Sequence, residues 1–180
     1  MVWVRALWLR VVLAGVLAAC APTDDRPGLA RGDPPPPPRA FTARVDRVVD
    51  GDTFIARHRG DRLRVRLIGV DAPESVQPGA PVECWGRESA GVLRELLPEG
   101  AQVLAAHQTG GRRDRFERQL WDVWLADGRF VQGALVRRGA AVAVAYGPQV
   151  AHAGYLATVE ARARERGVGL FGVCRHGGDT

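Results

Sequence analysis

The segment Leu63-Arg64-Val65-Arg66-Leu67-Ile68 alternates apolar and cationic residues. A period of two is a strand pattern, with Leu63, Val65 and Leu67 on one face and Arg64 and Arg66 on the other. Any fold for this chain must bury the first face and leave the second wet. Arg66 is then expected to point away from the main apolar stripe. The flanking sequence extends the pattern. Phe41–Val49, with Val45, Val48 and Val49, reads as a strand, and Asp50-Gly51-Asp52 as a turn. Thr53–His58 reads as a second strand and Arg59-Gly60-Asp61 as a hairpin turn. Trp85–Leu97 carries Ala90, Leu93, Leu96 and Leu97 at helical spacing, and Pro98-Glu99-Gly100 ends it. Gln102–Gln108 is a strand, Thr109–Arg118 a basic loop and Gln119–Ala126 a further strand. Phe130–Arg138 and His152–Arg166 are helices. No internal repeat is visible. Five short strands with a helix after the third predict an α+β fold: a five-stranded OB-type β-barrel with three helices.

The chain has 180 residues, enough for one domain and a tail. Apolar residues make up 46% and charged residues 25%, a balance that excludes wholesale disorder. No apolar run approaches the length that would suggest a multi-span membrane protein. The net charge is +5, and every basic residue is arginine. That charge points to an anionic partner such as nucleic acid, phosphate or an anionic lipid surface. Codon bias alone would also explain arginine without lysine. Selection for bidentate phosphate contacts is the alternative.

Residues 1–19 read as a secretory signal, with Arg5 and Arg10 before the short apolar stretch Val11–Ala19. Leu17-Ala18-Ala19-Cys20 resembles a bacterial lipobox, in which Cys20 becomes the lipidated first residue. An ordinary signal with an unmodified cysteine fits the same residues. Residues 20–40 read as a Pro-rich disordered linker, with Pro34–Pro38 as an extended spacer of about 3.1 Å per residue. The ordered domain is then 41–174, with 175–180 as a short tail. The expected location is outside the cytoplasm, lipid-anchored to the cell envelope or secreted. If Cys20 carries lipid, Cys84 and Cys174 remain as an even pair, expected to form a disulfide in an oxidising compartment. No Cys/His spacing suggests zinc, and His58, His107, His152 and His176 are scattered.

Chemistry concentrates in the first half. Asp50 and Asp52 flank a turn glycine, Arg66 ends a strand, and Asp71 and Glu74 follow in Val70-Asp71-Ala72-Pro73-Glu74. Carboxylates on two loops at one end of a sheet can supply oxygen ligands to a hard cation. An arginine nearby can neutralise a phosphate. A carboxylate just past a proline can orient or deprotonate water. Each feature alone is common at turns and caps; their joint occurrence is what carries weight. No serine has a plausible histidine partner for nucleophilic catalysis.

Val49-Asp50-Gly51-Asp52-Thr53, Arg66-Leu67-Ile68-Gly69-Val70-Asp71-Ala72-Pro73-Glu74 and Asp114-Arg115-Phe116-Glu117-Arg118 resemble the three signature blocks of the staphylococcal nuclease (thermonuclease) family. Ala134–Gly139, Tyr146-Gly147-Pro148 and Gly169-Leu170-Phe171 extend the resemblance over about residues 41–173. It implies an OB barrel and a Ca²⁺-dependent phosphodiesterase acting on DNA and/or RNA. By resemblance, Asp52, Asp71 and the backbone carbonyl of Ala72 would bind Ca²⁺, with Asp50 behind them. Glu74 would position or deprotonate the attacking water. Arg66 and Arg118 would bind the phosphate, and Tyr146 and Arg115 would lie on the nucleotide side. Two departures stand out. Glu117 occupies a place commonly held by glycine, which predicts a reshaped loop or a side chain turned to solvent. Val144 stands where some members have a second tyrosine. A non-catalytic OB-fold module binding single-stranded nucleic acid is the competing expectation. A structural envelope lipoprotein is a third.

Overall fold

The computed structural model describes residues 32–75, 81–107, 112–145 and 150–174. Seven strands and four helices follow in the order β1 (Phe41–Val48), β2 (Thr53–His58), β3 (Asp61–Leu67), β4 (Val70–Asp71), α1 (Gly86–Leu96), β5 (Gln102–His107), β6 (Gln119–Leu125), α2 (Val131–Arg137), β7 (Val142–Ala143), α3 (Ala153–Glu165) and α4 (Leu170–Val173). Strands β1-β2-β3-β6-β5 close into a barrel. The expected five-stranded barrel is therefore present. Two short strands, β4 and β7, add a separate pair beside it, and α4 adds one helical turn to the three main helices.

Closure depends on two local devices. The register of β1 against β2 shifts between Val45 and Arg47, a bulge that bends β1 so that it also pairs with β5. The parallel pairing of Val65, Arg66 and Leu67 with Gln119, Leu120 and Trp121 then joins β3 to β6. The alternation in β3 behaves as its sequence requires: Val65 and Leu67 are buried, whereas Arg62 and Arg64 are exposed. Phe54, Ala56, Val45, Ala105, Trp121 and Val123 complete the interior. Strand β6 is buried along almost its whole length, because α2 covers its outer side. Buried Gln132 of α2 accepts from Val123 N–H through Oε1 at 3.2 Å and donates through Nε2 to Trp121 O at 3.1 Å. No helix among the described residues is long and apolar enough to cross a membrane.

Cys84 and Cys174 form the expected disulfide, with Cα atoms 5.8 Å apart and a sequence separation of 90. It fastens the chain just before the start of α1 to the end of α4. Closing a loop of this length contributes on the order of 4 kcal/mol in the chain-entropy model. Cys20 lies outside the described residues.

The start of the proline segment belongs to the domain rather than to a disordered linker, which corrects the boundary expected at residue 40. Trp124 Nε1 donates to Pro34 O at 2.7 Å. The Asp33 carboxylate, with no side-chain exposure, accepts from Phe130 N–H at 3.1 Å, from Arg137 at 2.5 Å and from the Tyr155 hydroxyl. Composition marks these residues as having little to bury, but one carboxylate with three donors holds them down. Burial and the Asp33 charge push the Tyr155 hydroxyl pKa up, so Tyr155 remains a donor. Replacing Asp33 with alanine removes the acceptor of Phe130 N–H and of the Tyr155 hydroxyl and the carboxylate partner of Arg137. Asp33→Ala is expected to cost about 2–4 kcal/mol in chemical denaturation. A loss below about 0.5 kcal/mol, less than one net hydrogen bond, would show that the segment does not clamp the domain.

Candidate functional site

Arg66 leaves the outer face of β3 near its end and is capped by the turns on either side. Its guanidinium reaches Asp52 Oδ2 and Asp71 Oδ1, each at 2.6 Å. It also donates to Val70 O at 2.9 Å and Leu67 O at 3.3 Å. Side-chain exposure is 13% for Arg66 and 9% for Asp52 but 47% for Asp71. The pair with Asp52 is thus desolvated, while Asp71 faces the opening. Strand β4 fixes Asp71 through its pairing with Val142 of β7.

Asp52 sits at the end of the Asp50-Gly51-Asp52 turn. Its N–H donates to Asp50 Oδ1 at 3.1 Å. Its carboxylate accepts from the Thr53 hydroxyl at 3.0 Å and from Ala72 N–H at 2.9 Å. Burial pushes the Asp52 carboxyl up to about 7, against the lowering pull of Arg66. Asp50 nearby raises it further. Only glycine fits at 51: a Cβ there would lie 2.5 Å from the Ala72 Cβ and 2.9 Å from that of Ser89. The same holds at Gly86, where a Cβ would lie 2.5 Å from Glu74 O. These two close approaches press the β1–β2 turn and the start of α1 against residues 72–74.

Glu74 is held through its backbone. Its N–H donates to Glu83 Oε2 at 2.9 Å, and its carbonyl accepts from Glu83 N–H at 2.9 Å. Glu74 Oε1 accepts from Ser75 N–H at 2.9 Å. Asp50, Asp52, Arg66, Asp71, Ala72, Glu74 and Arg118 line one open recess of about 170 Å³, together with Pro73. Among the described residues, no three His, Cys, Asp or Glu side chains form a group that would hold a metal ion. The donor set nevertheless suits a hard cation. It is all oxygen, and the burial of Asp52 calls for positive charge that Arg66 now supplies.

Arg118 enters the recess from the loop before β6. Asp114, which the motif contains without marking its role, organises that loop. Its Oδ1 accepts from Phe116 N–H at 2.9 Å and Arg118 N–H at 3.0 Å, and its Oδ2 accepts from Arg118 Nε at 2.7 Å. Burial raises the Asp114 carboxyl, but the Arg118 and backbone hydrogen bonds outweigh it and hold the carboxyl below its usual range. Thr53, inside the first motif block, and Glu83, outside all three, are further supports of the site. Arg115 does not line the recess: its guanidinium lies 4.7 Å from the centre of the exposed Phe116 ring. Tyr146 lies outside the described residues.

The staphylococcal nuclease homologue model matches residues 64–172. A thermonuclease of Staphylococcus hyicus is 36% identical over 107 residues, 59% of this chain and 62% of that protein. A thermonuclease of Staphylococcus intermedius is 38% identical over 104 residues, 58% of this chain and 60% of that protein. Endonuclease YncB of Bacillus subtilis is 36% identical over 105 residues, 58% of this chain and 49% of that protein. The chain spans about three fifths of the two thermonucleases' length and half of YncB's. Arg66, Asp71, Glu74 and Arg118 fall within the stretch matched by the family model, whereas Asp50 and Asp52 precede it.

Glu117 turns its side chain to solvent, one of the two expectations for this position. It adopts the left-handed region at φ 60°, the conformation that glycine would take there. Its side chain is 77% exposed and pairs with Arg113 at 2.9 Å. The backbone strain is therefore borne locally, while Arg118 keeps its place. Glu117→Gly relieves a left-handed cost of roughly 1 kcal/mol and loses a surface pair worth less. The expected outcome is a higher thermal midpoint with Arg118 chemistry retained; a lower midpoint would mean that the Arg113 pair dominates.

Proposed function

The chain belongs to the staphylococcal nuclease homologue family, and from that premise we propose that it is a Ca²⁺-dependent nuclease hydrolysing phosphodiester bonds of DNA and/or RNA. The observation that carries the reading is the single recess shared by two arginines, the metal-type carboxylates and Glu74. Arg66 and Arg118 would bind the non-bridging oxygens of the scissile phosphate and neutralise the charge that builds there in the transition state. Glu74 would hold a water against the phosphorus and take its proton as the new P–O bond forms and the leaving oxygen departs. The Asp114 bonds orient the Arg118 guanidinium before substrate arrives. Asp52, Asp71 and the Ala72 carbonyl would hold Ca²⁺. Bound there, it supplies Lewis acidity to the phosphoryl oxygen. With substrate and cation present, Arg66 would exchange part of its carboxylate contacts for phosphate.

Export and lipid anchoring through Cys20 belong to the same proposal. The support is the signal-like residues 1–19 and the Leu17–Cys20 box.

Two measurements test these readings. The full chain is expected to cleave fluorescent single-stranded DNA with Ca²⁺ and not with chelator. Glu74→Gln should lower turnover by about 10²–10⁴-fold, the usual contribution of a general base. Folded protein that binds the strand without cutting it would instead be a binding module. In a bacterial host, radiolabelled fatty acid is expected to enter the native chain and not Cys20→Ser; equal labelling of both would remove the anchor.

A further inference from the structure

The outer faces of β1, β2 and β3 place arginines directly beside one another. Cross-strand register sets Arg44 opposite Arg57, and Arg57 opposite Arg62. One step closer to the recess, Arg64 lies opposite Ile55, which is paired in turn with Arg47. The next step is Arg66 itself, opposite Thr53. Arg44, Arg47, Arg57, Arg62 and Arg64 are all exposed. Like charges facing each other across a sheet are destabilising. Asp46 offsets only part of that cost, reaching Arg57 at 3.3 Å and Arg62 at 2.8 Å. Arg44, Arg47 and Arg64 have no ion-pair partner among the described residues.

Codon bias would account for arginine in place of lysine. It does not explain cation beside cation on adjoining strands. We infer that this face is a track, continuous with Arg66, that holds the phosphates of the nucleic-acid strand flanking the cleaved bond. Three features support that occupant. The charge is complementary to a polyanion. Arg62, Arg64 and Arg66 recur every second residue, about 6.6 Å apart along the strand, a spacing comparable to one step of an extended nucleotide backbone. The parallel pairing of Val65 with Gln119 sets the residue after Arg64 beside the residue after Arg118. The track therefore runs into the recess from the β2–β3 hairpin.

The inference rests on the nuclease reading for its biological use, but its test does not need cleavage. Binding of a fluorescent 20-nucleotide single strand to the full chain is measured in chelator across a salt series. The double variant Arg62→Gln, Arg64→Gln is expected to bind on the order of tenfold more weakly at low salt. The slope of log affinity against log salt should become shallower by about 0.7 for each phosphate that the variant no longer neutralises. A dinucleotide, too short to reach the track, should lose much less. Arg94→Gln, exposed on α1 rather than on β1–β3, is the charge control. An unchanged slope, or a loss matched by Arg94→Gln, overturns the track even if cleavage is intact. No cleavage together with the expected slope change overturns the nuclease reading and keeps the track. Anionic phosphatidylglycerol vesicles provide the last arm. Vesicle binding that the double variant abolishes, with strand binding unaltered, would assign the face to a membrane and overturn the proposal.

Discussion

The guanidinium of Arg66 is the point on which the functional end of this molecule depends. It is held between Asp52 and Asp71, both at 2.6 Å, and donates to two backbone carbonyls of the turn that follows it. One side chain therefore ties together the β1–β2 turn, the end of β3 and the short strand β4. With Arg66 and Asp52 largely withdrawn from water, the pair has little margin. Without Arg66, burial would drive the Asp52 carboxyl toward its neutral form, whereas Arg66 without Asp52 would keep Asp71 and its two carbonyls. The same contacts create the functional opportunity. Under the proposed function, a bound cation would take over part of the compensation of Asp52 and free Arg66 to meet a phosphate.

The scaffold around this pair works by close approach. Gly51 lets the acidic turn sit against Ala72 and Ser89, and Gly86 lets α1 begin against the carbonyl of Glu74. The disulfide fastens Cys84, two residues before Gly86, to Cys174 at the end of α4. At the far side, the buried Asp33 carboxylate draws the incoming segment onto α2 and α3. The recess is thus built from turns, but turns that the barrel, the first helix and a covalent link all constrain.

The barrel was legible because its strands are half wet. The alternation at Leu63–Leu67 fixed which side of β3 is buried, and the turn glycines marked the hairpins. Helix ends were legible to within a residue or two, since Pro98 and Gly139 disfavour continuing a helix. The two-residue strands β4 and β7 were not: pairings so short have no period of their own and form only once the helices bring residues 142–143 beside 70–71. The linker boundary was illegible for a related reason. Proline-rich composition reports how little a segment can bury, and says nothing of a single aspartate that finds three donors more than ninety residues away.

The order of residues along the chain accounts for the alternation that makes a barrel, the set of acids and arginines in motif order, and the pair of cysteines Cys84 and Cys174. These are properties of neighbours along the chain, and elementary sterics and periodicity act on neighbours. Folding places Arg66 between Asp52 and Asp71, lets Asp114 hold Arg118 and puts Glu117 in the left-handed region. Strand pairing sets arginine beside arginine across β1, β2 and β3. Those outcomes depend on strand register and on the close packing of turns, which bring together charges that are remote along the chain.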